Sequence, residues 1–310
     1  MKKLVSLLLA LTLMMSLVAC GGETSSNNGD KPSTSSQSGE NNDNNSAEDN
    51  KSNTEEENKI TFEEIVVVDN DECVIKITEI DPDNMWGFSL KAQLENKSAD
   101  KTYMFSVESA AINGVQCDPF FASEVAAGKK ANEEISFSDS SLEENGVGEF
   151  SDIELTFRVY DSNDWTADEV AKETVHVYPY GEDKAVAFVR ETQASDNVII
   201  DNEYVTITVI GYENDDIWGY TVNLFLQNKT DSTVMFSVDE ASVNGYMADP
   251  FYANSVSAGK CAFSSMSWSD TTLEENGITE VEEIEILFRA YDADNWTGDD
   301  FANQTITLNP

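Results

Sequence analysis

Four tryptophans that sit beside runs of Asp and Asn are the residues of this chain with the plainest chemical use: Trp86, Trp218, Trp165 and Trp296. An indole face flanked by carboxylates and amides can stack on a ligand's apolar face and orient its polar groups, so these four are candidate ligand-binding aromatics. The competing reading makes each a plug at the end of a hydrophobic core, which for any one Trp is the commoner use. Phe120-Phe121 and Phe251-Tyr252 form a second recurring aromatic pair, and Trp268, in an alternating segment, reads as core. Asp161, Asn163 and Asp168, and again Asp292, Asp294 and Asp299, place side-chain oxygens at nearby positions. Calcium takes about six to eight oxygens and often draws them from such loops, so these six are candidate metal ligands. The EF-hand pattern is not met, because its Gly and terminal Glu are missing, and Asx-rich runs also make good turns. No other cofactor is expected.

Catalysis finds little to use. The sole histidine, His176, lies in an alternating segment and reads as a solvent-facing strand residue. There is no glycine-rich phosphate loop and no His-rich metal pattern. Carboxylates are too abundant for one pair to be singled out as acid and base. The chain is expected not to be an enzyme. It has 59 acidic residues against 18 basic ones, a formal net charge of -41. That field repels nucleic acid and anionic lipid head groups and favours cations, basic proteins or uncharged partners. Beyond Cys20, the thiols Cys73, Cys117 and Cys261 are odd in number and fit no metal spacing. A Cys73–Cys117 bridge is one arrangement, but a disulfide is not something the domain needs, and the redox state stays open.

The first residues read as an address. Lys2 and Lys3 precede an apolar run from Leu4 to Val18, which is short of the roughly 20 residues of a membrane span. Leu17-Val18-Ala19-Cys20 resembles the lipobox of bacterial lipoproteins. The resemblance implies cleavage after residue 19 and a lipid on Cys20, hence membrane attachment at the extracellular face of the bacterial cell membrane. Two acyl chains would anchor stably, since each buried methylene contributes about 0.8 kcal/mol. From Gly21 to about Asn58 almost no residue is apolar, so residues 20–59 are expected to form a disordered acidic linker.

The remainder is a duplication. Asp83-Asn84-Met85-Trp86-Gly87-Phe88 matches Asp215-Asp216-Ile217-Trp218-Gly219-Tyr220 at an offset of 132, as Asn96-Lys97-Ser98 matches Asn228-Lys229-Thr230. At 131, Met104-Phe105-Ser106-Val107 recurs as Met235-Phe236-Ser237-Val238 and Asn113-Gly114 as Asn244-Gly245. Leu142 to Gly146 recurs from Leu273, and Phe157-Arg158-Val159-Tyr160-Asp161 as Phe288-Arg289-Ala290-Tyr291-Asp292. The organisation is therefore a signal at 1–19, the linker at 20–59, repeat one at 60–179, a joint at 180–196 and repeat two at 197–310. No cysteine pair is shared by the copies.

Within a copy the apolar period is two. Cys73, Ile75 and Ile77 alternate with polar residues, as Val205, Ile207 and Val209 do, and Ile153, Leu155, Phe157 and Val159 form another such run. Period two marks half-buried strands. Asn-Gly at 113–114 and 244–245 signals hairpins. Helix is expected only at Ser141–Asn145 and Thr272–Asn276, with Ser141…Glu144 and Thr272…Glu275 as capping boxes and Gly146 and Gly277 as stops. About seven short strands per copy give an all-β fold, two tandem immunoglobulin-like β-sandwiches.

The order of these motifs resembles the telokin-like immunoglobulin modules of Gram-positive surface lipoproteins. That resemblance implies fold and location but transfers no activity and no site residue. Three functions remain in play. The chain is a non-catalytic surface module for a protein or polysaccharide, with duplication raising avidity. Alternatively it is a structural spacer without a ligand. The least suited is a transporter's solute-binding lipoprotein, which expects many βα units that are not seen. Ligand identity, the orientation of the repeats and oligomeric state are not written in the sequence.

Overall fold

A computed structural model describes residues 59–310 except Asp118, Phe120, Ser138 and Trp165, and except the side chains of residues 139–141. The signal segment, Cys20 and the linker lie outside the described residues. The chain divides between Asn50 and Lys51, so all described residues belong to the second unit. No helix among them is long and apolar enough to cross a membrane.

Alternating apolar residues become strands whose inner faces make two cores. Repeat one contains β1 (Ile65–Asp69), β2 (Cys73–Asp81), β3 (Ser89–Asn96), β4 (Tyr103–Ile112), β5 (Val115–Cys117), β6 (Ala122–Val125), β7 (Lys130–Ser136), α1 (Asp139–Glu144), β8 (Ile153–Asp161) and β9 (Ala171–Val177). Repeat two runs β10 (Asn197–Asp201), β11 (Val205–Asp215), β12 (Gly219–Asn228), β13 (Val234–Val243), β14 (Tyr246–Met247), β15 (Ala253–Val256), β16 (Cys261–Trp268), α2 (Asp270–Glu275), β17 (Ile284–Asp292) and β18 (Ala302–Leu308). One sheet of repeat one has the order β1-β2-β3-β7; facing it, β5 and β6 flank β4, followed by β8 and β9. Repeat two copies this pairing strand for strand. The β3–β7 and β4–β8 pairs reproduce the B–E and C–F pairs of the immunoglobulin fold.

Each copy has nine strands where about seven were expected. The excess comes partly from the edge beside β4, which is broken into β5 and β6. Pro119, and Pro250 in the other copy, fall in that break, where a residue without an N–H cannot continue a ladder. Ile75, Leu94, Phe105 and Leu155 are fully buried in one core, and Ile207, Leu226, Phe236 and Ile286 in the other. Burying one such side chain contributes about 1.5–3 kcal/mol.

Local signals account for the ends of the elements. Asn113 and Asn244 take φ of 53° and 50° and the following glycines 86° and 79°, the pair of left-handed residues of a type I′ turn. The helices, however, start three residues earlier than the capping boxes require. Ser269 is the N-cap of α2, its Oγ accepting from Thr272 N at 3.2 Å, so Thr272 is the third residue of the helix. Gly277 N and Ile278 N then close back on Glu274 O and Leu273 O at 2.9 Å each, a Schellman stop that Gly146 and Val147 repeat on Glu143 and Leu142.

The Asn-Lys-Ser/Thr motif is a structural clamp. Asn96 Nδ2 donates to Lys101 O and Val125 O at 2.8 and 2.7 Å, and its Oδ1 accepts from Ser98 N. Asn228 does the same for Ser232 O, Val256 O and Ser257 O. The adjoining Lys97 and Lys229 reach Asp69 and Asp201, fastening the β1–β2 and β10–β11 turns.

The repeats are joined through a sheet. Edge strand β16 of repeat two lies parallel to β5 of repeat one, with Cys261 opposite Val115, making one nine-stranded sheet across both copies. Gln116 Nε2 donates to Ser255 O at 2.6 Å, its Oε1 accepts from Ser257 N at 2.7 Å, and Lys260 Nζ meets Glu154 Oε2 at 2.6 Å. The joint is a strap: Phe188 N bonds Asn113 O, and the Phe188 ring packs edge-on against Phe225 and Phe263. Arg190 lies over Phe225 and forms a two-pronged pair with Asp196 at 2.7 and 2.9 Å.

Candidate functional site

Among the described residues, the two candidate tryptophans of repeat two lie at opposite ends of the sandwich. Trp86 and Trp218 cap the β2–β3 and β11–β12 loops, at the end that also carries the Asn-Gly hairpin and the short helix. Trp296 lies in the β17–β18 loop at the other end, where Ala293 N bonds Thr233 O and Asn202 Nδ2 bonds Phe301 O. Trp165, in the corresponding β8–β9 loop, lies outside the described residues. The candidate aromatics therefore do not converge on one site.

They are also not core plugs. Trp86, Trp218 and Trp296 are 69%, 59% and 70% exposed, and Met85 and Ile217 beside the first two stand out further still. Trp268 is buried as expected, donating Nε1–H to Ala248 O at 2.8 Å. The tips are held by turns. Asn84 Oδ1 accepts from Trp86 N at 3.0 Å, and Asp215 Oδ1 accepts from Trp218 N and Ile217 N at 2.8 and 2.7 Å. Those backbone donors hold the Asp215 carboxyl below its ordinary value. Gly219, at φ 81°, passes so close to β16 that a Cβ there would lie 2.3 Å from Trp268 O. Of the second aromatic pair, Phe251 is exposed, whereas Phe121 is buried against Phe157 and the Tyr252 ring packs on Phe288.

The candidate calcium ligands act as turn acceptors. Asp161 Oδ1 accepts from Asn163 N at 3.0 Å, and Asp292 Oδ1 from Asp294 N and Asn295 N at 2.9 and 3.1 Å. The other candidates, Asp168, Asp294 and Asp299, do not complete a set around them. No group of three or more His, Cys, Asp or Glu side chains among the described residues is placed to hold a metal ion. No disulfide joins Cys73, Cys117 and Cys261 to one another. Burial pushes the thiols of Cys73 and Cys261 up to about 11. His176 faces outward on β9 between Asp152 and Glu154, at 2.7 and 3.3 Å, and its ring stacks on Tyr178.

A strongly polar surface lies along the seam of the repeats. A groove of about 670 Å³ opens between Glu144 and Asn145 of repeat one and the outer face of β11, β12 and β16. Its sheet wall is an ordered polar chain. Ser265 Oγ donates to Asn223 Oδ1 at 2.9 Å, and Asn223 Nδ2 donates to Glu213 Oε1 at 2.7 Å. Asn254 Nδ2 donates to Ser264 Oγ at 2.8 Å, and the Phe263 side chain lines the groove among these polar groups. A neighbouring hollow of about 520 Å³ shares Phe263 and Ile210 and runs under the strap at Arg190.

No protein-family model matches the chain, and no curated protein matches it. Solved structures with some likeness include the YadV chaperone, at 13% identity and a TM-score of 0.23, covering 76% of this chain and 100% of that one. The CsuC–CsuE chaperone–tip adhesion subunit pre-assembly complex of Acinetobacter baumannii Csu pili gives 9% and 0.22, covering 71% and 90%. Red sea bream transglutaminase gives 10% and 0.19, covering 72% and 28%. Likeness at that level carries no weight for function, and the sandwich assignment stands on the strand pairing above.

Sequence reasoning did not find the seam. One signal was available: Phe225 and Phe263 of repeat two stand where repeat one has Gln93 and Asn132, so two neighbouring outward positions turn aromatic in one copy only. It also passed over a pair of repeated ion pairs behind the Trp loops. Arg158 Nε meets Glu169 at 2.6 Å with its guanidinium over Tyr160, and Arg289 meets Asp300 at 2.8 Å over Tyr291.

Proposed function

We propose that this chain is a non-catalytic binding protein, held at the outer face of a bacterial cell membrane by a lipid on Cys20, that offers two linked sandwich modules to a polysaccharide or a protein. The observation that carries this reading is the exposure of Trp86, Trp218 and Trp296 on loop tips. A large aromatic left in water forgoes about 1.5–3 kcal/mol of burial, and Trp is over-represented where binding energy concentrates. Two copies on one chain add avidity when both reach the same partner. The net charge of -41 argues against nucleic acid as that partner.

A tryptophan-fluorescence titration of the full chain against soluble wall and plant polysaccharides, with acrylamide quenching, tests the tips. The expected result is a saturable shift that disappears in Trp86→Ala/Trp218→Ala or in Trp296→Ala. An unchanged spectrum with every polysaccharide, together with no protein retained from envelope extracts by the wild type over those variants, would remove the binding function. Anchoring has its own test, since Cys20→Ser should move the protein from the membrane fraction to the medium.

The interlocked seam favours one second reading, a structural spacer. On that reading the tip variants change nothing, while variants that loosen the seam, such as Lys260→Ala, disturb the protein's role at the surface.

A further inference from the structure

We infer that the seam groove is a binding site in its own right, for a short oligosaccharide that carries no acidic groups. The inference rests on the binding function proposed above and adds a place and a ligand class that the loop tips do not supply.

The comparison of the two copies carries it. In repeat one the outer sheet face is charged and self-paired. Lys91 lies across from Glu134 on the adjacent strand and meets Glu79 at 3.1 Å, while Glu134 accepts from Asn84. In repeat two the same register brings Asn223 across from Ser265 and Leu224 across from Ser264. On the outer face, Lys91 and Glu134 have thus become Asn223 and Ser265, an ion-bearing pair replaced by one amide and one hydroxyl. Burial does not explain the change, because Ser265 is exposed and Asn223 is only half-buried. Electrostatics would oppose it: a lysine at 223 would sit beside Glu213, in the same groove as Glu144, a favourable place in a chain of net charge -41.

What occupies the groove instead suits sugar hydroxyls. Ser265, Asn223 and Glu213 already form a fixed chain of hydrogen bonds, which leaves an amide N–H to donate and carboxylate and hydroxyl lone pairs to accept. Preorganised polar groups of this kind cost little ordering when a ligand arrives. Phe263 and Ile210 add apolar surface for a ring's C–H face, and the volume falls within the range of small-ligand sites. Acidic sugars are disfavoured, since Glu144 and Glu213 face the groove and the nearby Arg190 is already paired with Asp196.

The test is calorimetric titration of the full chain with cellotetraose, xylotetraose and N-acetylated chitotetraose, with polygalacturonate as the acidic comparison. At least one neutral probe should bind saturably. Binding should weaken by roughly tenfold or more in Asn223→Lys/Ser265→Glu, which installs the repeat-one pair. Thermal melting checks that the double variant folds; if it melts lower, Ile210→Thr, also the repeat-one residue, takes its place. Binding that survives the groove variants and vanishes in the tip variant overturns the groove and leaves the binding function standing. Preference for polygalacturonate, or no binding of any neutral probe, overturns the groove as well, and the function is then judged by its protein partners.

Discussion

The same hairpin has opposite fates in the two repeats. In repeat one, β5 is an inner strand of a sheet that continues into the neighbouring domain, and Val115 is 1% exposed. In repeat two, β14 is a free edge whose Tyr246 and Met247 are 54% and 68% exposed. The turn that precedes each is the same Asn-Gly with the same left-handed angles. The outer sheet faces differ likewise, with Gln93 and Asn132 in one copy and Phe225 and Phe263 under the strap in the other. Duplication thus supplied two equal scaffolds, and contact with a neighbour made their surfaces unequal.

The largest test of that contrast sets a core tryptophan against a tip. Trp268→Ala should cost about 3–5 kcal/mol, because it opens a cavity and leaves Ala248 O without its donor. Trp86→Ala should stay within about 0.5 kcal/mol in chemical denaturation, as an exposed position does. A matching loss at Trp86 would mean that the tip is a packed part of repeat one.

The seam comes next. Asp196→Asn weakens the two-pronged bond to Arg190 and should cost about 1–3 kcal/mol at neutral pH, since hydrogen bonds to charged groups are the stronger kind. The Arg190 guanidinium holds the Asp196 carboxyl below its ordinary 3.8. A depressed folded value means stability present above the ordinary value and lost as pH falls through the lowered one. The difference in stability between wild type and Asp196→Asn should therefore hold from neutral pH down to about the ordinary 3.8 and shrink as pH falls from there through the lowered value. A gap that is constant to the lowest pH would show that the pair is not ionic. Phe188→Ala should have a smaller cost, about 1–2 kcal/mol, read in calorimetry as one melting transition separating into two. If it still melts as one, the strand bridge and Lys260–Glu154 suffice to couple the repeats.

The smallest effect is chemical. Cys73 is fully buried with its thiol pushed up to about 11, so iodoacetamide at pH 8 should leave it unmodified in the folded chain. Rapid alkylation of Cys73 would place repeat one, rather than repeat two, as the more open copy.

Much of the fold was legible in residue order. Alternation at Ile153, Leu155, Phe157 and Val159 became β8 with those side chains inward, and Asn113-Gly114 became the β4–β5 hairpin, because both depend on neighbours within a few residues. The short helices were found but their caps were placed three residues late, since Ser269 and Thr272 are both competent caps and the chain uses Ser269. The candidate site was less legible. Asp161 and Asp292 read as candidate metal ligands because an Asx turn and a calcium loop draw on the same residues, and in the fold Oδ1 of each accepts from N–H groups of its own turn.

From residue order alone came the repeat boundaries, the strand pattern and the acidity, each a property of local sequence or of a sum over it. Tertiary structure decided that Trp86 and Trp218 stand in water while Trp268 does not, and that Phe188, Phe225 and Phe263 meet. Burial depends on what the rest of the chain brings alongside, and here that means strands more than a hundred residues apart, Cys261 against Val115 and Lys260 against Glu154.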